Sequence, residues 1–264
     1  MDRKIFFNAI RNPLFEEKFK QSQVAGITRL LDVWDKFYAV DGNCEELAYD
    51  LATSYHETAA TMQPIMERGP RKYFDKYETG TRLGKILGNT KPGDGFIFRG
   101  EGDVQNTGRA NAAKATRRLN KMFGLNIDLE TNPSLRGDPM ISAHSLFLGN
   151  REGWWTGKAL GRFIDGKDEA DDVDVKEYLA ARSVVNGSDK AQKIANYALV
   201  FENALRKAGY DKFGVSGMSA NLENFDTPAP KPASSIPAPE PVKGMIGILK
   251  YLLAALAAMF KKGT

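Results

Sequence analysis

The chain has 264 residues, of which 42% are hydrophobic, with a single cysteine, two histidines and a formal charge of +4. That is enough apolar material for a real core in one large or two modest domains. One cysteine, Cys44, excludes an intrachain disulfide, and two histidines without a cysteine cluster are too few for the usual zinc ligand sets, so no metal and no cofactor are expected. The charge is unevenly placed: beyond residue 225 five lysines face two acids, leaving about +1 for everything before. A near-neutral main domain lacks the basic face that nucleic-acid binding requires.

In chain order, Asp2 can cap a short helix from Arg3 to about Ile10, closed by Asn12-Pro13. The start, MDRKIFFNAIRNPLF, is too interrupted in its apolar run for a secretory signal, and synthesis in the cytosol is the simplest expectation. Ser22 can cap a second helix in which Val24, Ile27, Leu30, Leu31 and Trp34 repeat at helical spacing. A third is predicted over about Cys44 to Ala60, with Leu47, Ala48, Leu51, Ala52, Tyr55 and Ala59 as its apolar stripe. Glu57 falls on the opposite face beside Glu46, Asp50 and Thr53, so periodicity alone reads it as a solvated helix glutamate. Ten residues later stands Glu67, and Pro64 and Gly69-Pro70 break the helix around it. The two carboxylates are therefore expected on different elements with a bend between them.

Residues 68 to 102 read as irregular structure containing KPGDG, with a short hairpin predicted around Phe96 to Phe98. GEGDVQNTGRAN follows from Gly100, where Thr107 can cap the next helix, whose inner face is Ala115, Leu119, Met122 and Phe123. Gly100-Glu101-Gly102 lacks the strand and lysine of a phosphate loop. Ile141 to Leu148, Trp155 to Ile164, Val175 to Val185 and Ala191 to Ala208 are helical in pattern. Trp154-Trp155 suits either a core junction or stacking on a sugar ring. Asn186-Gly187 separates the last two helices in the manner of a helix terminus.

The composition then changes. TPAPKPASSIPAPEP holds six of the twelve prolines and cannot bury a core, which predicts an extended linker over residues 223–243. Residues 244–264 follow, with Met245, Ile248, Leu249, Leu252, Leu253, Leu256, Met259 and Phe260 on one helical face and Gly247, Lys250, Ala254, Ala257 and Lys261 on the other. The seventeen residues from Gly244 to Phe260 would span only about 25 Å as a helix, short of a bilayer core of about 30 Å. An interfacial helix on an anionic membrane surface is the expected form, with a short spanning or self-associating helix and a helix docked on the main domain as the rivals.

Four ordered segments resemble glycoside hydrolase family 19, the chitinase-like group that includes bacteriophage endolysins. Tyr55-His56-Glu57-Thr58 is similar to its His-Glu-Thr segment, and TMQPI with GNTKPGDG to the endolysin branch. Residues 102–111, containing Gln105 and Thr107, resemble its glycine-rich glutamine segment, and Ala181-Arg182-Ser183-Val184-Val185-Asn186-Gly187 its late Asn-Gly segment. The resemblance covers most of residues 1–215 and implies a mainly α, lysozyme-like two-lobed domain over residues 1–222, with at most a small hairpin. It implies a monomeric enzyme that hydrolyses β-1,4 links of peptidoglycan glycan strands with inversion, acting at the periplasmic wall of a Gram-negative host to cause lysis. Chitin is the alternative substrate. A non-catalytic glycan binder, or a protein acting mainly through membrane disruption, is the alternative from another class.

By the same resemblance, Glu57 is the general acid and Glu67 the general base, with Thr107 helping to hold the attacking water. His56, Gln105, Asn111 and Asn186 contact the sugar or support the acids. Inversion requires one protonated and one ionised carboxyl about 6.5–9.5 Å apart, hence unlike environments. Asp75, Glu78 and Glu101 are rival bases. Glu101 stands where the family has arginine, Asn106 where it has a bulky apolar residue, and Ala112 where it has an aromatic. Glu101 is expected to modulate the site with Arg99 compensating its charge, and Glu101→Arg is expected to retain or raise activity.

Overall fold

A computed structural model describes residues 1–167 and 170–213. The predicted linker and the C-terminal amphipathic helix lie outside the described residues. The described chain is mainly helical, and its one sheet there is a two-residue antiparallel ribbon.

Helix α1 runs from Arg3 to Phe15, capped by Asp2, whose side chain accepts from the Ile5 N–H at 3.0 Å. It does not stop before Pro13. A proline so close to a C-terminus removes only one helical hydrogen bond, and the buried Leu14 and Phe15 hold the last turn on the core. Helix α2, Gln21–Phe37, is capped at Lys20 and begins two residues earlier than a Ser22 cap would place it. Gln23 folds back to accept from the Lys20 N–H at 2.8 Å, supplying the cap that Ser22 was expected to give. Its buried face is Ile27, Leu30, Leu31 and Trp34, as the spacing requires.

Helix α3, Cys44–Glu57, is the axis of the domain and packs most closely against α9, Ala191–Lys207. It ends at Glu57 rather than Ala60. Of its predicted apolar stripe Leu47, Ala48, Leu51 and Ala52 are buried, Tyr55 is half-buried, and Ala59 falls beyond the helix and is exposed. Much of the face read as solvated is buried too, with Asp50 and Thr53 fully buried and Glu46 8% exposed. Periodicity failed here because other elements close over the polar side and pair with part of it. Asn150 donates to Asp50 at 2.7 Å, and Arg151 grips Glu46 with Nε at 2.7 Å and Nη2 at 3.0 Å. Both come from α7, Pro139–Glu152.

After α3 the chain reaches β1, Ile65–Met66, which pairs with β2, Glu101–Gly102. Between them lie a 3-10 turn at Arg71–Tyr77 and two short helices, α4 at Arg82–Ile86 and α5 at Asp94–Ile97. The hairpin predicted around Phe96–Phe98 is therefore absent, because Gly93 and Asp94 start a helical turn there. Asp94 accepts from the backbone N–H groups of Thr90 and Lys91 and, side-on, from Nε and Nη2 of Arg109. Helix α6, Arg109–Phe123, is entered through Gly108, and Thr107 instead donates to the Gln105 carbonyl. Helix α8, Asp171–Ala181, leads into a 3-10 turn at Arg182–Val184, and α10, Tyr210–Phe213, follows α9. Residues 155–164 hold only a 3-10 turn at Leu160–Arg162 rather than the helix predicted. Trp154 is buried in the core.

The buried apolar residues form two separate clusters. The main one gathers α1, α2, α3, α6, α7, α8 and α9 around Trp34, Leu51, Phe147 and Phe201. The smaller one comprises Phe74, Tyr77, Leu83 and Leu87, with Tyr73, Ile86 and Phe96 packed against it.

Candidate active site

Glu57 is the last residue of α3, and its side chain is only 4% exposed. Arg182, fully buried at the end of α8, points Nη1 to Glu57 Oε1 at 3.0 Å and donates Nε to the Asp189 carbonyl at 2.9 Å. The solvated-glutamate reading is thus overturned: the C-terminal turn of α3 is covered by the turn that follows α8. The adjacent His56 imidazole is pushed toward its neutral form, chiefly by burial and against the pull of Glu57.

Beyond Glu57 the chain turns through Ala59, Ala60 and Met62, all at positive φ. Such a turn of non-glycine residues must be held from outside. Gln23 donates to the Ala60 carbonyl at 2.8 Å, Gln63 donates to the Ser22 carbonyl at 2.5 Å, and the Met62 carbonyl sits where a side chain at Gly26 would be, 1.9 Å from a Cβ there. The bend foreseen from Pro64 is real, and α2 is its mould.

Glu67 emerges at the end of β1, 8% exposed. Its N–H donates to the Gly100 carbonyl at 2.7 Å, and the Gly100 N–H donates back to its carboxylate at 3.2 Å. Tyr73 and Tyr77, from the 3-10 turn that packs into the smaller cluster, lie close enough to this carboxylate for their hydroxyls to influence its titration. Burial raises the proton affinity of Glu67, and the Gly100 N–H, Lys76, Tyr73 and Arg99 only partly offset it. Arg99 donates Nε to the Glu67 carbonyl at 3.2 Å and stacks on Phe96, 4.0 Å from the ring centroid.

Gln105 and Thr107 lie over the same place. A Cβ at Gly100 would come 2.7 Å from Gln105 Oε1 and 3.2 Å from Thr107 Oγ1, so a side chain there would push these two groups away from the backbone that meets Glu67. Gln105, at φ 53°, donates Nε2 to the carbonyls of Ile65 at 2.9 Å and Gly102 at 3.2 Å. Asn111 donates to the Thr107 carbonyl at 2.9 Å. Glu67, Gln105, Thr107 and Asn111 therefore form one cluster, and His56, Glu57 and Arg182 a second. Asn186 adjoins the second through its N–H on the Arg182 carbonyl at 3.0 Å. Its side chain is buried, and neither amide atom finds a protein partner. An amide buried this deeply cannot touch a sugar directly, which leaves Asn186 a supporting place behind Arg182 rather than a contact with substrate.

The rival bases are placed elsewhere. Asp75 is exposed, and Glu78 accepts from the Gly93 N–H at 2.8 Å as part of the KPGDG turn. Glu101 is 5% exposed and lies 3.1 Å from Arg136, itself 2% exposed. Arg136, not the expected Arg99, is thus the closest cation to Glu101. Its guanidinium also donates to the carbonyls of Pro133, Arg99, Asn106 and Ile97, tying the backbone around β2 together. Glu101 is built into this interior rather than offered to a ligand.

Four residues of the site carry no role in the sequence reading: Arg182, Tyr73, Tyr77 and Asp103. Arg182 lies inside a quoted motif, whereas Tyr73 and Tyr77 stand four apart on a 3-10 turn, where no helical periodicity marks them. Asp103 lies inside the quoted 102–111 segment, which gave it no role. A cavity of about 290 Å³, lined by Asn43, Glu46, Arg151, Leu160 and Ile164 among others, opens at the other end of α3, eleven residues or about 16 Å of helix from Glu57. It belongs to neither cluster. Comparison with protein-family models, with curated proteins and with solved structures finds no match.

Proposed function

We propose that the chain is a peptidoglycan-degrading endolysin that cleaves β-1,4 glycosidic bonds by inversion, with Glu57 as proton donor and Glu67 as the base that activates water. One observation carries this reading: two buried glutamates, ten residues apart, stand on separate elements in unlike polar surroundings. Glu57 meets a guanidinium at the end of a core helix. Glu67 meets two phenols and a backbone N–H at the end of a ribbon. Unlike surroundings are what a pair of carboxylates needs in order to divide acid and base roles. Taken alone, the guanidinium on Glu57 and the raised proton affinity of Glu67 favour the opposite division, with Glu67 as donor, and the pH profile decides between the two. The two apolar clusters support a two-lobed, lysozyme-like arrangement, with Glu57 carried by the larger and the neighbours of Glu67 by the smaller. Gln105, Thr107 and Asn111 supply polar groups for sugar hydroxyls and for the attacking water, and Asn186 supports the turn that carries Arg182.

Turbidity of outer-membrane-permeabilised cells and mass spectrometry of the ends released from purified peptidoglycan test the reading together. Wild type releases new reducing ends whose sugar identifies the bond cut; Glu57→Gln releases none. Clearing by Glu57→Gln at the wild-type rate would sink the enzyme, and release from chitin alone would replace the substrate. Residues 244–264 are proposed to hold the protein to anionic membrane. Co-sedimentation with anionic vesicles that is unchanged when they are deleted ends that part.

A further inference from the structure

Asp103 is fully buried between the two clusters and is used by neither. Arg29 of α2 grips it on both oxygens, Nη2 to Oδ1 at 2.8 Å and Nη1 to Oδ2 at 2.9 Å. The Ser54 hydroxyl, one turn before Glu57 on α3, donates to Oδ1 at 3.1 Å. The Ser142 hydroxyl of α7 donates to Oδ2 at 2.5 Å, and the Asp103 N–H lies 2.7 Å from the same Ser142 oxygen. Arg29 also caps the carbonyl of Pro139 at 2.7 Å. One carboxylate thus joins three helices to the loop after β2.

Two residues further on, Gln105 is held at a positive φ, a conformation that costs free energy in a residue with a side chain and persists where the surroundings over-determine it. Asp103 provides that over-determination at the loop's N-terminal side. We infer that Asp103 is a positioning residue: an ionic latch that fixes the Gln105–Thr107 turn over Glu67 relative to the helix that ends in Glu57. Its charge is the working feature, because four side-chain donor contacts converge on two oxygens and a neutral amide can accept on only one. This rests on the hydrolase reading for its catalytic consequence and on geometry alone for the latch.

The test uses full-length Asp103→Asn and Asp103→Glu, with hydrogen exchange and turnover on the same preparations. Exchange of the amides of residues 101–107 is expected to speed at least tenfold in Asp103→Asn while α9 keeps its protection. Turnover per folded molecule is expected to fall at least tenfold, with KM changed less than threefold and partial recovery in Asp103→Glu. Unchanged exchange in residues 101–107 overturns the latch. Faster exchange with unchanged turnover in an enzyme that still requires Glu57 overturns the positioning role. If wild type shows no Glu57-dependent turnover, the hydrolase reading has failed by itself, and the exchange result still decides the latch.

Discussion

Arg182 reaches Glu57 across 125 residues of sequence and meets it inside the protein, with both side chains almost wholly removed from water. Neither charge has an equivalent substitute at that spot. A buried pair of this kind is weak as a source of net stability but costly to break on one side. Arg182→Met leaves a carboxylate stranded and also releases the Asp189 carbonyl, so unfolding free energy is expected to fall by about 3–5 kcal/mol. Arg182→Lys should recover only part of this, since one ammonium cannot reproduce the fork that spans Glu57 and Asp189. Denaturant titration of the three proteins measures it, and a loss under 1 kcal/mol in Arg182→Met would contradict the pairing.

The raised proton affinity of Glu67 gives a signed prediction for pH dependence. A base works ionised, so activity should rise with pH through the titration of Glu67, and the acidic limb should lie above the range of an ordinary glutamate. Tyr73 favours the charged form by hydrogen bonding, so Tyr73→Phe should move that limb further up. The pH profile of kcat/KM reads this directly. If the alkaline limb moves instead, Glu67 is the proton donor and the two roles are exchanged.

Glu101→Arg would bring a second guanidinium to within about an ion-pair distance of the buried Arg136. The structure therefore reverses the expectation that this substitution preserves activity. It should cost about 3 kcal/mol or more, the scale for an uncompensated buried charge. Glu101→Gln, which keeps the shape without adding a cation, should be milder. Thermal unfolding separates them, and a Glu101→Arg protein as stable as wild type would show that Arg136 is not its effective neighbour.

Glu45 predicts how stability responds to pH. Burial lifts its carboxyl from 4.5 to about 7, against the pull of Arg206. The folded state therefore holds a proton that the unfolded state releases. The stabilisation is complete below pH 4.5 and is lost as pH rises toward about 7, amounting to at most about 3 kcal/mol. Asp50, also raised by burial, acts in the same direction. Glu45→Gln should flatten the fall in melting temperature between pH 4.5 and 7; an unchanged slope would assign it to Asp50 alone.

Much of the helical framework was legible because burial imposes a period. The stripes of α2 and α3, the buried Cys44 and the break around Asn186-Gly187 all follow from spacing and turn chemistry. What periodicity could not show was how polar faces are covered. Glu57, Asp50 and Thr53 looked solvated because their partners, Arg182 and Asn150 among them, come from helices more than 90 residues away. The ribbon was missed for a related reason. Two residues on each side carry no alternation, so no side-chain pattern marks either as a strand.

The smaller apolar cluster has a consequence for how such a protein can change. Tyr73 and Tyr77 hold Glu67 and pack with Phe74, Leu83 and Leu87, while Glu57 and Arg182 depend on α3, α8 and α9. Substitutions in the smaller cluster reach one carboxylate and leave the surroundings of the other intact. The two acids are independently adjustable parts, so selection, or an engineer, can shift one limb of a pH optimum without dragging the other along.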